Sequence, residues 1–82
     1  MKRWFTYIVQ CSDGTLYTGI TTCLSRRIEE HNRKKTGAKY TRSRRPVILV
    51  YSEEHMTRSD ASKAEHRIKA KTRKEKLKII NS

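Results

Sequence analysis

The sequence has few cysteines, few acidic residues and no long apolar run. Its 82 residues include two cysteines, Cys11 and Cys23, which are too few and too widely spaced for a disulfide framework or a CxxC metal clip. No segment approaches the roughly 20 apolar residues that a membrane-spanning helix requires. These absences argue against a disulfide-stapled secreted domain and a membrane protein, and they predict a protein of the reducing cytoplasm.

Acidic residues are outnumbered, with 8 Asp and Glu against 20 Lys and Arg, which gives a net charge of +12. A surplus of this size on one small domain attracts polyanions, so nucleic acid is the expected partner. The basic residues are concentrated in residues 33–45 and 63–78, which predicts two basic surfaces. The C-terminal helix lacks the stripe of Trp, Phe or Leu that would bury in a bilayer, so no membrane partner is expected.

Two segments rich in aromatic and β-branched residues, 4–11 and 16–20, predict strands joined by a tight hairpin at Asp13 and Gly14. Residues 47–51 form a continuous apolar run of the kind found in a strand covered on both faces, so they predict the central strand. Residues 52–56 read as a turn. Residues 35–45 contain no apolar periodicity and read as a basic loop.

Helical spacing of apolar residues predicts a first helix over residues 24–35 and a second that runs to about residue 70. Thr57 or Ser59 can cap the second helix. Thr72 and Glu75 form a capping-box pattern that starts a last helix. The expected architecture is α+β: a three-stranded antiparallel sheet flanked by helices, in a single compact domain over residues 1–82.

Five residues form a candidate phosphodiester-cleaving site. Tyr7 and Tyr17 lie on the two paired strands, and Tyr17 is near the strand partner of Tyr7. Arg27 and His31 share the apolar side of the first helix by their spacing, and Glu65 lies among the small apolar residues of the later helix. A carboxylate on the interior side of a helix is notable in so cationic a chain.

Each of these residues also has a structural interpretation. Arg27 can cover the helix edge with its methylene groups, and His31 can be a packed core histidine. Glu65 can form an intrahelical ion pair with Lys69, which would contribute only about 0.2 to 0.5 kcal/mol.

The motifs FTY at residues 5–7 and YTG at residues 17–19 resemble the signature of the GIY-YIG nuclease superfamily. The run LSRRIEEH at residues 24–31 resembles the first helix of that family, and AEHRIK at 64–69 resembles the later helix that contributes a glutamate. The resemblance covers nearly the whole chain, and the likeness is closest to small stand-alone bacterial GIY-YIG proteins. Phe5-Thr6 and Thr18 replace the usual Gly-Ile and Ile, and these replacements remove no reactive group.

This resemblance implies metal-dependent hydrolysis of a phosphodiester, with Glu65 as the carboxylate that holds one divalent ion, Mg²⁺ or Mn²⁺. Arg27 would stabilise negative charge on the phosphoryl oxygens. Tyr7 would position or deprotonate the attacking water, assisted by Tyr17 and His31, which can also hold the scissile phosphate. A free tyrosine titrates near pH 10, so a base role requires neighbouring cations to lower its pKa.

Nucleic acid is expected to contact the basic loop and the later helix. The predicted contact residues are basic except for one tyrosine, and they are Lys34, Lys35, Lys39, Tyr40, Arg42, Arg44, Arg45 and Lys69. Tyr40 can stack on a base or pack against the protein. The leading hypothesis is a structure-selective or weakly specific endonuclease acting on DNA in repair or processing. The alternative is a non-catalytic protein that binds DNA or RNA. The sequence leaves the oligomeric state open.

Overall fold

The computed structural model describes residues 3–33 and 38–81, which form a three-stranded antiparallel sheet and four helices. The elements follow in the order β1 Trp4–Gln10, β2 Leu16–Thr21, α1 Leu24–Arg33, α2 Lys39–Arg42, β3 Ile48–His55, α3 Arg58–Lys69 and α4 Arg73–Ile80. The predicted α+β class and the antiparallel sheet are confirmed. Within the described ranges, no helix has the length and apolarity needed to cross a membrane.

A tight turn joins β1 to β2, as predicted. The Asp13 carboxylate accepts hydrogen bonds from the backbone N–H of Thr15 at 3.1 Å and from its hydroxyl at 2.6 Å. Gly14 has a φ of 84°, a backbone conformation that glycine adopts without steric cost. The register that follows places Tyr7 opposite Gly19.

The prediction that residues 47–51 form the central strand is wrong. The strand order is β2-β1-β3, so β1 lies in the centre and β3 lies at an edge. Ile48 and Leu49 are 59% and 40% exposed, whereas all four residues from Thr6 to Val9 in β1 are buried. A continuous apolar run does not by itself show that both faces of a strand are covered. The apolar run lies in β3, but β1 is the strand whose residues are buried on both faces.

The predicted turn at residues 52–56 is also wrong, because β3 continues to His55. Ser52 pairs with Tyr7, and His55 pairs with Trp4, so the polar residues of this segment extend the ladder along β1. An edge strand tolerates polar side chains that face solvent, which is why its end carries no apolar signal.

The predicted basic loop contains a short helix, α2, in its described part. This helix is held inward by Thr41, which is completely buried.

The Asn32 side chain accepts a hydrogen bond from the Val47 backbone N–H at 2.7 Å and donates to the Val47 carbonyl at 3.0 Å. The end of α1 is thereby fixed to the start of β3.

Helices cover both faces of the sheet. Tyr7 and Val9 point to one face and pack in a cluster with Leu24 and Ile28 of α1. Thr6 points to the other face, because side chains alternate along a strand, and its hydroxyl donates to the Ala61 carbonyl of α3 at 2.8 Å.

Two predicted caps fix the starts of α3 and α4. The Thr57 side chain accepts a hydrogen bond from the Asp60 N–H, so Thr57 rather than Ser59 caps α3. The capping box of Thr72 and Glu75 is present at the start of α4.

Candidate active site

The centre of the site is a buried hydrogen bond between β1 and α1. The Tyr7 hydroxyl lies 2.8 Å from His31 Nε2, and the two residues are 1% and 0% exposed. The sheet face that carries Tyr7 is the face that α1 covers, so the helical spacing of His31 brings its ring against the phenol. A buried polar pair of this kind is stable only because each group satisfies the other.

Both groups are neutral at pH 7. Burial raises the pKa of Tyr7 to about 12, although a hydrogen bond from Arg27 opposes that rise. The pKa of His31 is lowered to about 4, chiefly by burial and also by the positive charges of Arg27 and Arg45, against the opposing effect of Glu30. The pKa of Tyr7 in the free protein is therefore set mainly by burial, which outweighs the lowering effect of Arg27.

The protein is expected to lose stability as the pH falls from about 6.5 toward 4. The unfolded chain binds a proton at His31 in this range and the folded chain does not, so the free energy of unfolding falls by about 2 kcal/mol between pH 7.5 and 5. Above a pH of about 6.5, His31 is neutral in both states and does not change the free energy of unfolding with pH. Urea unfolding at the two pH values measures the loss.

A His31→Gln variant should lose much less stability over the same range, and His66→Gln, which changes an exposed histidine, should behave as the wild type does. An equal loss in the wild type and in His31→Gln would show that His31 is not a buried neutral group.

Arg27 joins this pair from the solvent side. Its Nη1 donates to Glu30 Oε1 at 2.9 Å, and its guanidinium lies close enough to the Tyr7 hydroxyl to oppose the rise in the pKa of the phenol. The side chain is 24% exposed, so the guanidinium lies between the buried phenol and the solvent. A phosphate that approached Tyr7 would meet this positive charge.

A row of rings leads outward from His31. The Tyr17 ring packs edge-on against the His31 ring with centroids 5.4 Å apart, and the Tyr40 ring stacks on Tyr17 at 5.8 Å. The Arg44 guanidinium lies 4.2 Å from the centroid of the Tyr40 ring. Tyr40 thus packs on the protein while remaining 40% exposed, and its predicted contact with a base stays a prediction.

Glu65 reaches the site from α3. Its carboxylate forms an ion pair with Lys69 Nζ at 3.4 Å, as the structural interpretation expected, and its side chain is 19% exposed. It is near enough to Tyr7 for its negative charge to contribute to the raised pKa of the phenol. The structure therefore places Tyr7, Tyr17, Arg27 and His31 in direct contact, with Glu65 at electrostatic range.

The donor set suits a weakly held divalent ion. Among residues 3–33 and 38–81, no three His, Cys, Asp or Glu side chains form a cluster that could hold a metal. One partly buried carboxylate is compatible with Mg²⁺, which usually keeps several waters and takes one or two protein carboxylates. Glu65 fits that role, and a closed structural metal site is not formed by the described residues.

The basic residues predicted to bind nucleic acid have different environments. Arg44 forms an ion pair with Asp13 at 3.1 Å and donates to the Tyr40 carbonyl at 2.9 Å. Arg45 donates to the carbonyls of His31 and Glu30 near the end of α1, where a cation is favourable. Three others are exposed, namely Lys39, Arg42 and Lys69. Lys34 and Lys35 lie outside the described residues.

Sequence reasoning missed two residues that shape the site. A Cβ atom added to Gly19 would lie 2.5 Å from the Tyr7 hydroxyl oxygen, so only glycine leaves room for the phenol. Thr41 Oγ1 lies 2.8 Å from His31 Nδ1, on the other side of the imidazole from Tyr7. The YTG motif includes Gly19, but a threonine among basic residues gave no signal for Thr41.

The chain matches a known family of catalytic domains. A model of the GIY-YIG catalytic domain family matches residues 3–78, and the chain belongs to this family. Membership of the family indicates a nuclease-type function and nucleic-acid binding in general.

The relatives are small bacterial proteins. The chain is 64% identical to a UPF0213 protein of Desulfotalea psychrophila over 76 residues, which are 90% of this chain and 69% of that protein. It is 54% identical to a UPF0213 protein of Staphylococcus aureus over 80 residues, which are 98% of this chain and 96% of that protein. It is thus similar to stand-alone GIY-YIG domain proteins, as predicted.

Solved structures share the fold. The solution structure of the UPF0213 protein BH0048 from Bacillus halodurans has a TM-score of 0.62 and 37% identity, and the match covers 96% of this chain and 83% of that one. The protein EF2693 from E. faecalis has a TM-score of 0.62 and 44% identity, and the match covers 94% of this chain and 82% of that one.

Proposed function

We propose that this protein is a metal-dependent endonuclease that hydrolyses phosphodiester bonds in DNA, in repair or processing, in the cytoplasm. The observation that carries the proposal is the buried contact of Tyr7 with His31 and Arg27, in a chain with a net charge of +12. Arg27 places a positive charge on the solvent side of this buried pair, where a phosphate would approach the phenol. The net charge supplies the attraction for a polyanionic substrate.

The proposed chemistry begins with a water molecule beside the Tyr7 hydroxyl. The phenol oxygen accepts a proton from the water as the phenol proton passes to His31 Nε2, 2.8 Å away. The water oxygen forms a bond to phosphorus, and the bond from phosphorus to the leaving oxygen breaks. The leaving oxygen takes a proton from solvent, and His31 later returns its proton to Tyr7 as the phenol proton passes to solvent.

Arg27 stabilises the charge that develops in this step. Its guanidinium borders the Tyr7 hydroxyl, so its donors face the phosphoryl oxygens of a substrate attacked there. The positive charge of Arg27 disfavours a protonated His31, and the negative charge of a bound phosphate has the opposite effect. A phosphate anion near His31 favours the protonated imidazole, which makes the transfer from Tyr7 less costly once substrate is bound.

Glu65 would hold one Mg²⁺ or Mn²⁺ ion together with water molecules. When bound, the ion would supply positive charge where the leaving oxygen becomes negative.

The surface beside the site supports binding of a nucleic-acid strand. The row of Tyr17, Tyr40 and Arg44 lies next to His31, and α2 adds the exposed Lys39 and Arg42 at the same place. Aromatic rings and arginines bind bases and phosphates without reading their sequence. This arrangement favours recognition by substrate shape.

The proposal is tested with end-labelled duplex, branched and single-stranded DNA and with RNA, each incubated with Mg²⁺, Mn²⁺ or EDTA. We expect cleavage of DNA that requires a metal ion and that differs between the duplex and the branched substrate. Binding of the same substrates by gel shift is measured in parallel. Tight binding without cleavage under every metal condition would overturn the proposal and favour a non-catalytic nucleic-acid-binding protein.

A further inference from the structure

Thr41 stands at the end of a directed chain of hydrogen bonds that begins at Tyr7. The Tyr7 hydroxyl lies 2.8 Å from His31 Nε2, and His31 Nδ1 lies 2.8 Å from Thr41 Oγ1. The Thr41 hydroxyl in turn lies 2.9 Å from the Ala38 carbonyl oxygen and donates to it. Thr41 and His31 are both 0% exposed, so solvent does not replace any of these partners.

The direction of the chain follows from the number of hydrogens available. A threonine hydroxyl has a single hydrogen, and a carbonyl oxygen can only accept. Two oxygens 2.9 Å apart attract each other only with the Thr41 hydrogen between them, so the Thr41 oxygen accepts from His31 and Nδ1 carries a hydrogen. The Ala38 carbonyl also accepts from the Thr41 backbone N–H at 3.1 Å, which its second lone pair allows. A neutral imidazole then has no hydrogen on Nε2, which becomes the acceptor for the Tyr7 hydroxyl.

The surroundings of Tyr7 lead independently to the same direction. The Arg27 guanidinium beside the phenol carries donors and no acceptor, and Tyr7 is 1% exposed. If His31 Nε2 carried a hydrogen and donated it to the phenol oxygen, Nε2 could no longer accept the phenol hydrogen. That hydrogen would then be buried without an acceptor. An unsatisfied buried donor costs about 1 to 3 kcal/mol, so the arrangement with Nε2 as acceptor is favoured.

We propose that Thr41 is a positioning residue that holds His31 in the Nδ1–H tautomer and so keeps Nε2 free to receive the Tyr7 proton. The catalytic part of this inference rests on the proposed nuclease function, whereas the tautomer does not. In the opposite tautomer, Nε2 would carry a hydrogen and could not accept one. The Thr41 hydroxyl therefore determines whether His31 can receive a proton from Tyr7.

The first test is the tautomer of His31 in the full chain at neutral pH, read from the ¹⁵N chemical shifts of its ring nitrogens. His31 is assigned by comparison with His31→Gln. We expect a protonated, pyrrole-type Nδ1 and an unprotonated, pyridine-type Nε2. A pyridine-type Nδ1 in the wild type would overturn the inference, and this result depends on neither a variant nor an enzymatic assay.

The second test compares Thr41→Val, which keeps the shape but lacks the hydroxyl, with Thr41→Ser, which keeps the hydroxyl. We expect Thr41→Val to shift His31 toward the Nε2–H tautomer and to lower kcat roughly 10- to 100-fold with little change in KM, a size typical of groups that orient a functional histidine. Thr41→Ser should retain the wild-type tautomer and most of the activity. Circular dichroism checks that both variants fold.

An unchanged tautomer and unchanged kcat in folded Thr41→Val would overturn the role of Thr41. Absence of cleavage by the wild type would refute the proposed function instead, and the wild-type ring shifts would still decide the tautomer.

Discussion

Replacement of Glu65 by alanine is expected to abolish metal-dependent cleavage and to leave nucleic-acid binding nearly unchanged. A bound divalent ion contributes several kcal/mol of charge stabilisation in reactions of this class, and each 1.36 kcal/mol corresponds to a factor of ten, so the rate should fall by roughly 10³-fold or more. Binding depends on the basic surfaces, which this change leaves in place. Cleavage in Mg²⁺ and gel-shift binding of the same DNA measure the two effects.

Two controls separate a metal ligand from an ordinary surface charge. Glu29→Ala removes an exposed carboxylate from α1 and should cleave as the wild type does. Lys69→Ala breaks the 3.4 Å ion pair while keeping the Glu65 carboxylate, so it should retain the metal requirement. Cleavage by Glu65→Ala at the wild-type rate would point to a contaminating nuclease or to a site that does not use this carboxylate.

Replacement of Tyr7 by phenylalanine is expected to lower the single-turnover cleavage rate by about 10²- to 10⁴-fold, the usual contribution of a group that transfers a proton. The change removes only the hydroxyl, so the ring still packs over Gly19. His31 Nε2 loses the donor that lies 2.8 Å away, which should reduce the free energy of unfolding by about 1 to 3 kcal/mol. Rapid-quench kinetics and urea unfolding measure the two losses.

Tyr51→Phe is the matched control for this change. Its hydroxyl donates to Glu53 at 2.9 Å on the edge strand, away from the α1 cluster, so its removal should leave cleavage unchanged. A Tyr7→Phe variant that is folded and fully active would rule out the proposed proton path. A variant that is inactive but as stable as the wild type would contradict the buried hydrogen bond to His31.

Local sequence patterns predicted the parts of the site that depend on local periodicity. Tyr7 and Tyr17 came together because a two-strand hairpin with side chains alternating at every second residue fixes their common face. His31 turned inward because its spacing from Leu24 matches two turns of a helix. These contacts lie within one continuous segment, where short-range rules apply.

The parts that were wrong or missed depend on contacts between distant segments. Which strand becomes central is decided by the pairing of β3 with β1, and the apolar run in β3 gives no information on that pairing. Thr41 became part of the site only when α2 packed against α1, which brought it to His31 across ten residues of sequence. The bonds from Arg45 to the carbonyls at the end of α1 likewise gave no sequence signal, and its predicted contact with nucleic acid stays a prediction.

The hydroxyl of Thr6 joins two halves of the molecule that carry different parts of the chemistry. Thr6 precedes Tyr7 in the central strand, and its partner Ala61 lies one helical turn before Glu65. This contact fixes α3 on the strand that carries Tyr7, so the position of the Glu65 carboxylate relative to the phenol depends on how α3 packs against β1. Packing on one face of the sheet thus helps to set the geometry of a site centred on the other.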